Sequence, residues 1–154
     1  MSLLIKNGRI ITATDDYVAD IYVDGETIHS IGPNLTIDDD AAEVIDAAGK
    51  FIFPGFIDPH VHIYLPFMGT YARDDYGSAS RAALVGGTTT LIEMCCPAHD
   101  ESPLAAFELW KSKAESLASV DYTFHMGVSK MNDQNESEIR EIVSRGIASL
   151  KVFL

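Results

Sequence analysis

Apolar and polar residues alternate in short runs through the first part of the chain, and this pattern changes after Pro54-Gly55. The runs LLIKNGRII, ADIYVDGETIHSIG and AEVIDAAGKF are typical of half-buried strands, and a turn is expected at Asp24-Gly25. The sequence therefore predicts a small β-domain over residues 1–53, followed by a second domain over residues 54–154.

The second part of the chain alternates strand-like runs with helix-like runs. Strands are predicted at residues 56–63, 88–94, 122–128 and 148–154, with an amphipathic run between each pair. Strands joined by helices imply parallel crossovers, which fit the first half of a (β/α)8 barrel as well as part of an open doubly wound sheet. A complete barrel needs about 250 residues, so we expect a truncated chain that stops inside an apolar strand.

Capping residues predict where the three helices begin. The first is expected to begin after Asp74 or Asp75, and the second at Ser102-Pro103, a cap and first-turn pair. Asn135 with Glu138 three residues later resembles a capping box, so the third helix is predicted to open at Asn135.

Charge and composition exclude several classes of partner. The 154 residues have a net charge of −12, from 23 acidic and 11 basic residues, with no Lys/Arg cluster that would favour nucleic acid. No apolar run reaches the roughly 18 residues of a membrane span, and the N-terminus is too polar for a signal peptide. We therefore expect a cytoplasmic protein with no membrane or nucleic-acid partner. The adjacent thiols of Cys95 and Cys96 are expected to be reduced, buried and inert, although they end a strand near the candidate site.

Two histidines one residue apart stand out in FIDPHVHIYLPF, at residues 56–67. On a strand, Asp58, His60 and His62 would share one face, with apolar side chains on the other. Two neutral imidazoles on one face can ligate a divalent cation. The alternative is a pair of hydrogen-bonded histidines in a polar interior.

A lysine in the last predicted strand raises a similar question. Lys151 lies on the face of Ser149 and Phe153 in SLKVFL, where an ammonium group is unusual. Desolvation favours the free amine, which can react with carbon dioxide to give a carbamate able to bridge two metal ions. The alternative is a lysine on an edge strand that faces solvent.

Five motifs in order, FPGFIDPHVH, LPFMGT, GGTTTLIEM, DYTFHMGV and GIASLKVFL, resemble the amidohydrolase superfamily, and within it the dihydropyrimidinase and D-hydantoinase group. The resemblance covers the whole chain. It implies the N-terminal part of a metal-dependent hydrolase with a (β/α)8 TIM barrel, preceded by a small β-sandwich segment.

The resemblance also implies roles for individual residues. His60 and His62 would bind the more buried metal ion. Lys151, as a carbamate, would bridge two divalent metal ions and act as a catalytic residue. The expected ions are zinc. The other ligands of the family, two histidines and an aspartate, and a tyrosine that polarises the substrate carbonyl, have no counterpart in this sequence. The isolated chain is therefore expected to be inactive.

Leu65, Phe67 and Phe153 are candidates for an apolar pocket around a ring substituent, with simple loop and barrel packing as the alternative. Dihydroorotases resemble the same pattern but typically carry an arginine, which binds the substrate carboxylate, where this chain has Tyr64. A neutral cyclic amide is therefore the expected substrate. His125 has no partner at ligand spacing and is interpreted as structural.

The leading hypothesis is hydrolysis of a dihydropyrimidine or a 5-substituted hydantoin to an N-carbamoyl amino acid, in a homo-oligomer that the resemblance suggests is a tetramer. One alternative is a non-catalytic relative, like the collapsin response mediators, which act by association; the presence of His60, His62 and Lys151 argues against it. Another is an unrelated open-sheet binding domain, which would leave these three residues without a shared purpose.

Overall fold

The computed structural model describes residues 1–152 and divides the chain into two compact units, Met1–Pro54 and Gly55–Leu154. The first unit is a five-stranded sheet with the order β3-β2-β1-β4, in which β5 also pairs with β1. Its strands are β1 (Ser2–Ile11), β2 (Asp16–Asp24), β3 (Thr27–Gly32), β4 (Glu43–Asp46) and β5 (Phe51–Ile52). β1 and β2 are antiparallel, as are β2 and β3, whereas β4 and β5 run parallel to β1. The predicted turn is confirmed, with Gly25 at a φ of 61°.

A buried carboxylate fixes an irregularity in this sheet. The β1–β2 register shifts between Ile5 and Gly8, and Asn7 within the shift has a φ of 62°. Asp20, only 3% exposed, accepts hydrogen bonds from the backbone N–H groups of Asn7 at 2.8 Å and Leu35 at 2.9 Å. One carboxyl side chain thus accepts from an amide at the register shift and from an amide in the loop after β3.

The second unit contains a parallel sheet with the order β11-β10-β9-β6. Its elements are β6 (Phe56–Val61), β7 (Pro66–Phe67), β8 (Thr70–Tyr71), α1 (Tyr76–Val85), β9 (Thr88–Cys95), α2 (Pro103–Glu115), β10 (Asp121–Val128), α3 (Asp133–Ser144) and β11 (Leu150–Val152). β7 and β8 form a short antiparallel hairpin. The predicted α/β class, with parallel strands joined by helices, is confirmed.

Local capping explains two of the helix starts. Asp75 accepts a hydrogen bond from Ser78 N at 2.7 Å in a capping box, and Ser102 accepts one from Ala105 N at 3.1 Å with Pro103 in the first turn. The first two helix starts are therefore confirmed.

The predicted start of the third helix is wrong by one turn. The cap is Asn132, which accepts a hydrogen bond from the N–H of Asn135 at 2.8 Å, and Asn135 itself is buried inside the helix. Acidic side chains at Asp133 and Glu136 occupy the first turn, where the helix dipole favours them. Glu138 does not form a capping box but accepts from the Ser102 hydroxyl at the start of α2.

One apolar core holds the helices of the second unit against the sheet. Its buried members include Leu91 and Cys95 of β9, Phe124 and Met126 of β10, and Phe107 and Trp110 of α2. No helix within residues 1–152 is long and apolar enough to cross a membrane.

Candidate metal and substrate site

His60 and His62 converge at the end of β6. The strand ends at Val61, and the Nε2 atoms of the two imidazoles lie 3.2 Å apart, with the ring planes at 76°. One N–H can donate to the other nitrogen at this distance. Two nitrogens each about 2.05 Å from one zinc ion would have the same separation at an N–Zn–N angle of roughly 100°, close to tetrahedral. The pair therefore fits a shared divalent cation.

The surroundings of His62 favour the neutral, ligating form of its ring. Partial burial lowers the pKa of His62, and the positive charges of His60 and Lys151 lower it further. A neutral imidazole offers a lone pair to a cation, whereas an imidazolium does not.

Lys151 lies close enough to His62 to influence it electrostatically. It is half-buried at the centre of β11, opposite Gly127 in the β10–β11 register. The structure thus brings His60, His62 and Lys151 within electrostatic reach of one another, and their role as metal ligands stays a prediction. Within residues 1–152 no group of three or more His, Cys, Asp or Glu side chains is placed to hold a metal ion.

A pocket of about 1030 Å³ adjoins His62. It is lined by the β7–β8 hairpin together with His62, Leu65, Cys96, Pro97 and Glu101. Leu65 is half-buried and also packs against the core, whereas Phe67 is 66% exposed at the hairpin. Both predicted substrate-binding residues thus line one pocket, while Phe153 lies outside the described residues.

The two cysteines differ in environment, which corrects the expectation that both are buried. Cys95 is fully buried in the core, whereas Cys96 is half-buried and lines the pocket. The backbone at Cys95 and Cys96 packs closely against Gly127 of β10. A Cβ added at Gly127 would lie 2.8 Å from the carbonyl oxygen of Cys95 and 3.1 Å from Cα of Cys96. The backbone can pass this close only because position 127 has no side chain.

His125 is structural, as predicted, and its ring bridges two parts of the sheet. Nε2 lies 2.8 Å from the carbonyl oxygen of Pro59, and Nδ1 lies 2.5 Å from the Ser149 hydroxyl. A carbonyl oxygen only accepts, so Nε2 carries the proton and Nδ1 accepts from Ser149. Both ring nitrogens are therefore engaged.

Sequence reasoning missed Glu93, a fully buried carboxyl group in β9. Its two oxygens accept hydrogen bonds from the backbone N–H of Ile63 at 2.6 Å and of Met94 at 3.1 Å. Burial raises the pKa of Glu93 to about 8, against the opposing effect of these two amides. The signal in the sequence was an acidic residue in the otherwise uncharged run TTTLIEM.

Comparison with known proteins relates the chain to a group of cyclic-amide hydrolases. No family model matches the chain. A D-hydantoinase of Geobacillus stearothermophilus is 46% identical over 155 residues, which is all of this chain and 32% of that protein. The solved structure of a D-hydantoinase (dihydropyrimidinase) from Thermus sp. is 60% identical, with a TM-score of 0.94 over 99% of this chain and 33% of that one. The chain belongs to the dihydropyrimidinase and D-hydantoinase group.

The relationship extends to animal members of this group. A dihydropyrimidinase of Rattus norvegicus is 35% identical over 99% of this chain and 30% of its own length. The chain thus spans about a third of the length of the relatives that it matches. The predicted fold class is confirmed as the first part of a (β/α)8 hydrolase barrel preceded by a β-sandwich segment. The unrelated open-sheet binding domain is excluded.

Proposed function

We propose that the chain supplies the first metal ligands and part of the substrate pocket of a metal-dependent cyclic amidohydrolase. The substrate would be a dihydropyrimidine or a 5-substituted hydantoin, opened to an N-carbamoyl amino acid. The observation that supports this most directly is the 3.2 Å separation of the two imidazole Nε2 atoms beside an apolar pocket. The names of the relatives, D-hydantoinase and dihydropyrimidinase, support the same reaction class.

In this proposal His60 and His62 would hold one divalent cation, and Lys151, once carboxylated, would help to hold two. The Lys151 amine attacks the carbon of carbon dioxide, forms an N–C bond and releases a proton to solvent, which leaves a carbamate anion. When bound, two zinc ions would acidify a water molecule and polarise the amide carbonyl of the substrate. Because its carbamate would help to hold the ions that activate the water and the substrate, Lys151 is proposed as a catalytic residue.

The pocket explains why an apolar ring substituent would be accepted. Leu65 and Phe67 present apolar surface beside His62, and Phe153 is proposed to add to it. Tyr64 stands where a cationic side chain would be needed for a substrate carboxylate, so a neutral cyclic amide fits better.

A non-catalytic association protein of the same group is the alternative function. It would not require two converging imidazoles, so the geometry of His60 and His62 favours the hydrolase. A cytoplasmic location and a homotetramer stay predictions.

Metal binding by the chain itself tests the proposal. Equilibrium dialysis with zinc should show weak binding of one ion, which His60→Ala or His62→Ala each weaken by more than the roughly tenfold effect typical of outer-shell residues. His29→Ala is the matched control because this exposed histidine belongs to the first unit. Equal zinc binding by all four proteins would show that the ligand assignment is wrong.

A further inference from the structure

We propose that Glu93 and His125 are positioning residues, which hold the segment 59–63 at both ends so that the imidazoles of His60 and His62 converge. This inference rests on the proposed metal-binding function and concerns residues that do not themselves touch the metal. Its basis is two side-chain contacts to the backbone, one immediately before His60 and one immediately after His62.

The segment needs such support because its strand pairing is irregular. The β6–β9 register shifts between Phe56 and Ile57 and again between Asp58 and Val61, and the strand ends at Val61. Proline at position 59 also has no N–H to offer a neighbouring strand. Regular ladder bonds therefore do not determine where the two histidine side chains point.

Glu93 anchors the end of the segment. Its Oε2 accepts the N–H of Ile63 at 2.6 Å, and its Oε1 accepts the N–H of Met94 at 3.1 Å, in its own strand. The carboxyl thus ties the residue after His62 to β9. Glu93 and Ile63 are 0% and 4% exposed, so water does not replace this contact.

The contacts of Glu93 require two side-chain acceptor oxygens, and glutamine has only one. Each oxygen faces a different backbone N–H, and glutamine would offer one oxygen and one NH₂ group. The NH₂ group would face a second donor, so either the Ile63 or the Met94 amide would lose its acceptor.

His125 anchors the start of the segment from further away. In the sheet order β10 and β6 are separated by β9, and the ring of His125 nevertheless reaches the Pro59 carbonyl oxygen at 2.8 Å. Because the Pro59 carbonyl can only accept, Nε2 carries the proton, and Nδ1 accepts from the Ser149 hydroxyl. The residue before His60 is thus tied to β10.

The test compares Glu93→Gln and His125→Phe with Asp20→Asn. Asp20 is the matched control because it is also a buried carboxyl that accepts two backbone amides, but in the first unit. Magnetisation transfer between the ring protons of His60 and His62, whose ring centres lie 5.0 Å apart, is measured in the metal-free protein. Zinc affinity is then measured by dialysis at a temperature at which each variant is folded.

We expect the ring–ring contact to be lost or strongly reduced in both positioning variants, with zinc affinity lowered at least about tenfold. Asp20→Asn should lower the melting temperature but leave both readouts at their wild-type values. If Glu93→Gln does not fold, His125→Phe decides, because its ring is only half-buried.

A folded variant that keeps both the ring contact and wild-type zinc affinity would overturn the inference. If the wild-type chain binds no zinc while the variants still lose the ring contact, the proposed metal function fails and the positioning role stands. The two proposals are thus separated by the wild-type control.

Discussion

The Lys113 ammonium lies 3.4 Å from the centre of the Tyr64 ring, which links helix α2 to the loop that follows the two histidines. Tyr64 has a φ of 54° and its ring packs against Tyr71 of β8 at a centroid distance of 5.0 Å. Burial lowers the pKa of Lys113, whereas the negative charge of Glu101 opposes this shift. The pair thus ties the base of the β7–β8 hairpin to the helix layer.

We expect Lys113→Met to destabilise the hairpin by roughly 0.5 to 2 kcal/mol, the range for a partly desolvated cation–π contact. Amide hydrogen exchange at residues 64–71 should accelerate accordingly. Lys111→Met, at an exposed position of the same helix, is the control and should leave exchange in the hairpin unchanged. Equal exchange in the two variants would refute a bracing role for Lys113.

Glu93 should make the stability of the protein depend on pH. Its pKa in the folded protein is raised to about 8, whereas in the unfolded chain it titrates near its ordinary value of roughly 4.3. Between these values the folded protein keeps a proton that the unfolded chain has released, so the free energy of unfolding falls as pH rises. The pKa values of the neighbouring Tyr76 and Cys95 are both raised, so these groups stay neutral in this window.

The measurement is urea denaturation at several pH values between about 4 and 8, where one pKa unit corresponds to ~1.4 kcal/mol. Glu93→Gln should have a lower free energy of unfolding overall. Between about pH 4 and 8 this free energy should depend less on pH than in the wild-type protein. Glu136→Gln, a change at an exposed carboxyl, should retain the wild-type dependence on pH. If the free energy of unfolding of Glu93→Gln kept the wild-type dependence on pH, a group other than Glu93 would be responsible for it.

Local chemistry made most of the fold predictable. Asp75 and Ser102 cap their helices through contacts three residues away, so short-range patterns identify them. The third helix was misplaced because Asn132 and Asn135 are both good caps, and the choice depends on Glu138 being engaged by Ser102 of another helix.

The candidate site was predictable only in part, for a similar reason. His60 and His62 stand out by their spacing, and Lys151 by its unusual place in an apolar strand. Glu93 acquires its role from the Ile63 amide, thirty residues earlier in the chain, and His125 from the Pro59 carbonyl, sixty-six residues earlier. Such partners depend on strand order and register, which periodicity does not reveal.

In the full-length enzyme, Lys151→Ala should abolish binding of the second metal ion and most of the hydrolysis, because no carbamate can form. Added short carboxylic acids should restore part of the activity, since they can occupy the place of the carbamate. Zinc content and hydantoin hydrolysis are measured with and without acetate. Full activity of Lys151→Ala without any added acid would eliminate the carbamate from the mechanism.

The isolated 154-residue chain should hydrolyse dihydrouracil and hydantoin negligibly. Two imidazoles leave most coordination positions to water, and a carbamate needs a second metal to persist. The assay adds zinc and bicarbonate to the purified chain, with a chelator-treated sample as control. Chelator-sensitive turnover near that of a full-length relative would contradict this expectation and point to pairing with another chain.

The glycine at position 127 makes the shape of the pocket depend on β10 as well as on the hairpin. Lys151 pairs with Gly127 on one side, and the turn at Cys96 and Pro97 rests on it from the other. Even an alanine here would force the turn at Cys96 and Pro97 to shift, and both of these residues line the pocket. A single methyl group at position 127 would therefore reshape the wall of the pocket without altering any residue that lines it.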